Sequence, residues 1–284
     1  MKAPLESQTT LAGEIALEGV GVHSGKPTRL RLLPAAAGTG LRFRRVDLPG
    51  APEVPATLDY VLTNRLDRRT TIGLDETVSV ATVEHFLAAC LAIGLDNVVA
   101  EVDAEELPFF DGSAEPLARA CLDRGLIELD RPRLYYNVDR PFVFDRAPVQ
   151  MAALPSENLR VSYFVEFDSE VVPRQAGHFK ITRKSFMKKL APARTFCFQR
   201  DIERLQAAGL IRGGSLECAV VIGEDRILND SLRFPDEIVR HKVIDLLGDL
   251  CLLGRPLRAH VTAWRAGHVW HIEFLRHLKE VALR

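Results

Sequence analysis

Long apolar runs are missing from this chain. None of its 284 residues belongs to a stretch hydrophobic enough to cross a bilayer as a helix, which takes about 20 consecutive apolar residues. The opening segment, MKAPLESQTT, lacks the apolar centre of a secretory leader, so the expected location is the cytoplasm. An excess of charge of either sign is missing too. Lys and Arg number 37 against 38 Asp and Glu, a net charge of -1. That balance argues against a surface that coats nucleic acid and against an acidic tail. Cysteine is sparse and unpaired in pattern: Cys90, Cys121, Cys197, Cys218 and Cys251 are odd in number and never spaced C-x-x-C. They read as reduced, mostly buried small side chains, not as disulfides or a thiolate metal site. The H-E-x-x-H helix of zinc peptidases does not occur, and neither does any residue-level repeat.

What is present begins with a helix. Ile238, Val239, Ile244, Leu246, Leu247, Leu250 and Leu253 recur at near-helical spacing, with no proline between Pro235 and Pro256. His241, Asp245 and Asp249 are four residues apart and so share one face of it. They are either an ordinary solvated stripe or, for the His and the first carboxylate, two ligands of one metal ion. A second helix is expected over Val80 to Gly94, capped by Thr82 and closed by Gly94. It is nearly all apolar, hence buried, and Glu84 and His85 are its strongly polar side chains. A buried carboxylate needs a partner. The pair reads either as a salt bridge beside a hydrogen-bonded core histidine, or as a general base (Glu84) beside a metal ligand (His85).

Around these helices the chain reads as strands, helix, strand, helix, twice over. In the first half, Gln8 to Leu17 and Thr28 to Leu33 form a hairpin around the glycine-rich segment Gly19 to Gly25, which carries His23 in a loop. Strand-like pieces run through Thr57 to Ile72, then come Asn97 to Val102 and a helix from Ser113 to Gly125. Arg131-Pro132 interrupts the pattern and marks the boundary between residues 1–130 and 131–284. In the second half, strands are expected at Arg133 to Phe144, Val149 to Leu154, Leu159 to Phe167, Cys218 to Ile222, Arg226 to Asn229 and His260 to Arg265. Helices are expected at Ile181 to Leu190, Asp201 to Ala208 and from His268 onward. This order is that of an α+β fold with helices on one face of a sheet.

The polar groups suit metal-assisted hydrolysis. His85, His241 and Asp245 supply three ligands, the number a catalytic zinc takes. Zinc brings the pKa of its water to about 7 and polarises a carbonyl. Glu84 would take the proton from that water. His268, held protonated by Asp249, would give one to a departing amine. Thr195 could donate to the oxyanion, and Lys242 could meet a phosphate as a point charge. Periodicity alone does not bring these residues together.

The motifs do more. Thr82-Val-Glu84-His85, Glu106-Leu-Pro-Phe-Phe-Asp111-Gly-Ser113, Ala193-Arg-Thr195-Phe, the run from Leu232 through His241-Lys242 and Asp245 to Asp249, and Ala266-Gly-His268 closely resemble the UDP-3-O-acyl-N-acetylglucosamine deacetylase family, from about Gln8 to the last helix. The resemblance implies a zinc enzyme of lipid A synthesis, with one ion per chain held by His85, His241 and Asp245. It implies Glu84 as base, His268 as acid oriented by Asp249, Thr195 at the oxyanion and Lys242 near a diphosphate. It implies two similar domains, each a mostly antiparallel sheet with two helices, packed helix layer to helix layer over the site. An insert at about 196–216 would form an apolar passage for an acyl chain, lined by Phe196, Phe198, Ile202, Leu210, Ile211 and Leu216, with His23 a further substrate contact.

The chain departs from the family pattern in places. His271 stands where Asn is usual, and would pair with substrate phosphate or face solvent. Asp168-Ser169-Glu170 replaces a His-Pro pair after Phe167, and Cys218 replaces a common Asn. The implied partner is a UDP-linked acylated amino sugar, whose acyl chain would bring the protein near a membrane; no nucleic acid and no oligomer is implied. Two other readings remain at this point: a zinc amidase of another substrate, and a non-catalytic α+β module of the kind that contacts RNA. The near-zero charge argues against the last.

Overall fold

The computed structural model of the chain describes residues 6–283. The elements of the first half are β1 (Ser7–Leu11), β2 (Ile15–Val20), β3 (Pro27–Pro34), β4 (Leu41–Arg45), β5 (Glu53–Pro55), β6 (Thr71–Gly73), β7 (Ser79–Ala81), α1 (Glu84–Ile93), β8 (Val98–Val102), α2 (Glu115–Arg124) and β9 (Leu126–Pro132). Then follow β10 (Tyr136–Asn137), β11 (Phe142–Arg146), β12 (Val149–Pro155), β13 (Arg160–Glu166), β14 (Arg174–Lys180), α3 (Arg183–Lys189), β15 (Thr195–Phe198), α4 (Ile202–Ala207), β16 (Ala219–Ile222), α5 (Glu237–Cys251), β17 (Leu257–Trp264) and α6 (His268–Val281).

Alternation builds the sheets. Thr28, Leu30 and Leu32 of β3 point inward while Arg29 and Arg31 face water. Leu257, Ala259, Val261 and Ala263 do the same in β17. One sheet has the order β2-β3-β8-β4-β5. A second runs β11-β12-β17-β13-β14, with β10 added beside β17. Most pairs are antiparallel; β4–β8, β13–β17, β10–β17 and the separate pair β15–β16 are parallel. Helix α2 packs on β2 of the first sheet, α5 on β13 and β14 and α6 on β12 of the second, while α1 lies against α2 and α5 and meets β4 through Phe86 on Phe43. One large hydrophobic core spans both sheets, from Leu32, Phe43 and Phe86 to Val243, Val261 and Leu275, and a smaller cluster gathers Val172, Phe198, Val220, Ile222 and Ile238. The fold is the α+β class that the element order implies.

The local differences from the sequence reading have physical causes. The segment from Gln8 to Leu17 is two strands. β1 pairs with β9, outside the sheet that β2 opens, and the chain turns at Gly13, where a Cβ would sit 1.7 Å from the Arg124 guanidinium. Thr82 does not cap α1; it sits at φ 59° and its hydroxyl donates to Glu106 instead. Arg226 to Asn229 is not a strand: Ile227 makes a single bridge to Ile222 and the Asn229 side chain closes the turn on Val221 and Ala219. The strand β14 carries one buried large apolar side chain, Phe179, on an otherwise polar or small-residue edge, so it gave no apolar signal. The piece from Thr57 to Ile72 holds two short 3-10 turns, Leu58–Tyr60 and Thr63–Arg65, and irregular chain before β6 begins.

Helices α1 and α5 cross at a glycine. A Cβ on Gly248 would lie 2.2 Å from the Glu84 carbonyl oxygen, so the two backbones touch. The crossing sets His85, on α1, against His241 and Asp245, on α5. Gly248→Ala is expected to force the helices apart, to destabilise the fold by about 1–3 kcal/mol as overpacking does, and to weaken metal binding. Thermal unfolding and metal titration of the variant check this; wild-type values for both would contradict it.

Candidate active site

His85 is the second residue of α1, and His241 and Asp245 are one turn apart on α5. All three are buried. His85 Nε2 lies 3.3 Å from His241 Nε2, His241 Nε2 lies 3.2 Å from Asp245 Oδ1, and His85 Nε2 lies 4.0 Å from the same oxygen. His241 Nδ1 donates to the Ala193 carbonyl at 3.1 Å, which leaves a lone pair on Nε2. Burial, with His241 beside it, pushes His85 down to about 3, which favours its neutral form. Two imidazole nitrogens and a carboxylate oxygen thus face one another within 4.0 Å, the donor set that a divalent cation takes. A triangle with these sides has a point about 2.1 Å from each corner, the bond length zinc takes to nitrogen and oxygen. The three residues fit a divalent ion.

Asp245 is held ionised. Burial would raise its pKa, but Lys242 and His241 pull it well below the usual carboxylate range. Lys242 Nζ donates to Asp245 Oδ2 at 2.7 Å.

Around this trio stand further buried titratable groups. Glu84 opens α1, and its Oε2 accepts from the Thr70 backbone N–H at 3.0 Å. Burial raises its carboxyl to about 7, against the pull of His268. His268 opens α6, and its Nδ1 donates to Asp249 Oδ2 at 2.8 Å. Burial alone would lower the imidazole, but Asp249 holds it up at about 9. Asp249 in turn stays at about 2, because His268 and His271 outweigh its burial. The Thr70 hydroxyl donates to Asp249 Oδ1 at 2.6 Å.

His271 corrects an expectation. It neither faces solvent nor reaches toward a substrate phosphate; it is fully buried. Its Nδ1 donates to Asp249 Oδ2 at 2.8 Å, and its Nε2 lies 2.9 Å from the Tyr163 hydroxyl. The cause is its place three residues after His268 on a helix, which turns it toward the core behind Asp249. Asp249, His268 and His271 also lie close enough to hold an ion. Their contacts are already ordinary hydrogen bonds from both imidazoles to the Asp249 carboxylate.

These residues open onto a cavity of about 1000 Å³. Of the residues singled out in the sequence, Glu84, His85, Thr195, His241, Lys242, Asp245 and His268 line it, as do Phe196, Phe198, Ile202, Ile211, Leu216 and His23. Asp249 stands behind His268, outside the lining. Leu210 is not in the lining either; its backbone N–H closes α4 on the Leu205 carbonyl. Phe167, Phe196 and Phe198 form a cluster of rings with centroids 5.3 to 6.4 Å apart. His23 is a buried wall residue, not an exposed loop histidine, and burial lowers it to about 4.

Several working residues gave no sequence signal. Thr70 reaches Glu84 through its backbone and Asp249 through its side chain. Ala193 orients His241 with a backbone carbonyl. Glu237 holds that same segment by accepting from the Arg194 backbone N–H at 2.9 Å and from the Arg194 guanidinium.

The family model described as UDP-3-O-acyl N-acetylglycosamine deacetylase matches residues 8–280. Among curated proteins, the chain is 43% identical over 272 residues to a UDP-3-O-acyl-N-acetylglucosamine deacetylase of Anaeromyxobacter sp. (strain Fw109-5), covering 95% of this chain and 88% of that one. It is 39% identical to one from Myxococcus xanthus (strain DK1622), over 97% and 87% of the two chains. It is 42% identical to one from Trichormus variabilis (strain ATCC 29413 / PCC 7937), over 95% and 98%. A match that runs almost end to end, across both sheets and every residue of the buried polar cluster, makes this chain a member of the UDP-3-O-acyl N-acetylglycosamine deacetylase family.

Proposed function

We propose that the protein is a zinc-dependent amide hydrolase. It removes the N-acetyl group of UDP-3-O-acyl-N-acetylglucosamine, giving acetate and UDP-3-O-acyl-glucosamine, a step of lipid A synthesis in the cytoplasm. The observation that carries the reading is the meeting of His85, His241 and Asp245 within 4.0 Å of one another beside Glu84 and His268 in one cavity. The same reading divides the chain at about residue 130, with one ligand from the first part and two from the second.

When bound by these three residues, zinc supplies Lewis-acid polarisation of the amide carbonyl and makes water acidic enough to lose a proton near pH 7. Glu84, set near 7 and fixed by the Thr70 N–H, takes the proton of the attacking water. The Thr195 hydroxyl donates toward the oxygen of the tetrahedral carbon. His268, protonated and anchored by Asp249, gives its proton to the departing amine. The long apolar part of the cavity, with Phe196, Ile202, Ile211 and Leu216 in its wall, takes the 3-O-acyl chain. The charge of Lys242 falls to the diphosphate of the UDP moiety.

The titrations have a definite sign. The working state needs Glu84 deprotonated and His268 protonated. Turnover therefore rises as pH passes the Glu84 value, about 7, and falls as it passes the His268 value, about 9. A cation nearby moves both limbs to lower pH. His268→Gln is expected to erase the alkaline limb, leave the acid limb and metal content, and lower kcat by about 10² or more. A pH–rate profile that keeps its alkaline limb in the variant contradicts the role given to His268.

The activity itself is tested by acetate release from the UDP-linked acylated sugar, with zinc content measured on the same sample. A simple acetamide serves as control. Release from the sugar alone supports the reading; equal release from both supports a general zinc amidase instead.

A further inference from the structure

Glu106 places a carboxyl group where the proposed chemistry does not use it. Its side chain is buried, with 3% of its surface exposed. Oε1 accepts from the His23 backbone N–H at 2.9 Å and from the Thr82 hydroxyl at 3.0 Å. Oε2 accepts from the Ser24 backbone N–H at 2.8 Å. Gly21 makes room for the carboxylate: a Cβ there would lie 2.3 Å from Oε2.

The two segments that meet on this carboxylate have different tasks. One is the turn ahead of α1. Thr82 sits two residues before Glu84, at φ 59°, a backbone conformation that a β-branched residue adopts only when something holds it there. Helix α1 has no side-chain cap of its own, so the direction in which Glu84 and His85 leave the sheet depends on that turn. The other segment is the wall of the cavity. Its His23 Nδ1 accepts from the Ile211 N–H at 3.4 Å, the His23 carbonyl accepts from Arg212 N–H at 3.3 Å, and the Val22 carbonyl accepts from Gly213 N–H at 2.9 Å. Val22, His23, Ile211 and Leu216 all face the cavity. The wall assigned to the acyl chain is thus tied, through His23 and Ser24, to the carboxylate that also holds the catalytic turn.

We infer that Glu106 is a positioning residue that fastens the wall of the acyl cavity to the turn that delivers Glu84, so that one buried carboxylate sets both chain binding and turnover. This rests on the proposed activity. A carboxylate suits the task because all three groups that reach it are donors. An amide in its place turns an N–H toward at least one of them, donor against donor.

The test uses the zinc-loaded protein and two variants. Glu106→Gln is expected to weaken binding of palmitate, measured by equilibrium titration, at least tenfold, and to raise KM for the acylated substrate by a similar factor. Its zinc content stays at the wild-type level. Thr82→Val cuts only the link to the turn. It is expected to lower kcat at least tenfold with palmitate affinity within twofold of wild type. A merely structural role would reduce the active fraction, lowering kcat in both variants without moving KM or palmitate affinity per zinc-loaded chain. That result, or wild-type palmitate affinity in Glu106→Gln, overturns the inference while leaving the deacetylase reading in place. Palmitate binding that weakens as expected, in a protein that releases no acetate from the UDP-linked sugar, upholds the positioning role and removes the activity. Should Glu106→Gln not fold, the Thr82→Val split between kcat and palmitate affinity decides alone.

Discussion

Glu84→Gln is expected to lose about 10³-fold in kcat for acetate release while binding zinc as the wild type does, within the range general bases contribute. The amide keeps the volume and an oxygen that can accept from the Thr70 N–H, so the turn and helix α1 should stand. What it cannot do is take a proton. The metal trio does not include Glu84, so zinc per chain should not change. Burial has already set this carboxyl at about 7, where it is basic enough to accept a proton yet largely ionised in a mildly alkaline solution. Acetate release followed over time, with metal analysis of the same sample, checks both halves of the statement. Activity within a few fold of wild type would remove Glu84 as the base.

The second large effect concerns the ion itself. His85→Ala and Asp245→Ala should each weaken zinc binding by more than about 100-fold, the upper end of what loss of an outer-shell partner costs. A competitive chelator titration gives the number. The two variants remove ligands from helices that come from opposite ends of the chain, so equal losses would mean that one ion spans the α1–α5 crossing. Chelation of the wild type should abolish acetate release, and added zinc should restore it. Unchanged zinc affinity in either variant would exclude that residue from the site.

Much of the site was legible because burial makes polar residues conspicuous. Glu84 and His85 stood out on a helix with nothing else polar to explain them, and His241 and Asp245 stood out by their spacing on a helix whose other residues are apolar. The motifs around them carried the family resemblance. Residues that act through the backbone, or across long separations, left no trace. The Thr70 hydroxyl meets Asp249 across 179 positions, and Ala193 works through a carbonyl. His271 was readable in principle: three residues beyond His268 on a helix is the same side, one turn on, and that side is the core. Thr82 was misjudged as a cap because a threonine before an apolar run usually is one; here the hydroxyl has a buried carboxylate to meet. Of the fold, the central strands with clean alternation, β3 and β17, were plain, whereas β14 hid because an edge strand with one buried phenylalanine has no pattern to show.

The central claim is that one ion is held jointly by His85, His241 and Asp245. Anomalous diffraction at the zinc edge from crystals of the zinc-loaded protein tests it most directly. The account predicts one strong peak within bonding distance of both Nε2 atoms and the Asp245 carboxylate. A peak at Asp249, His268 and His271 instead, or none on the α1–α5 crossing, would contradict it.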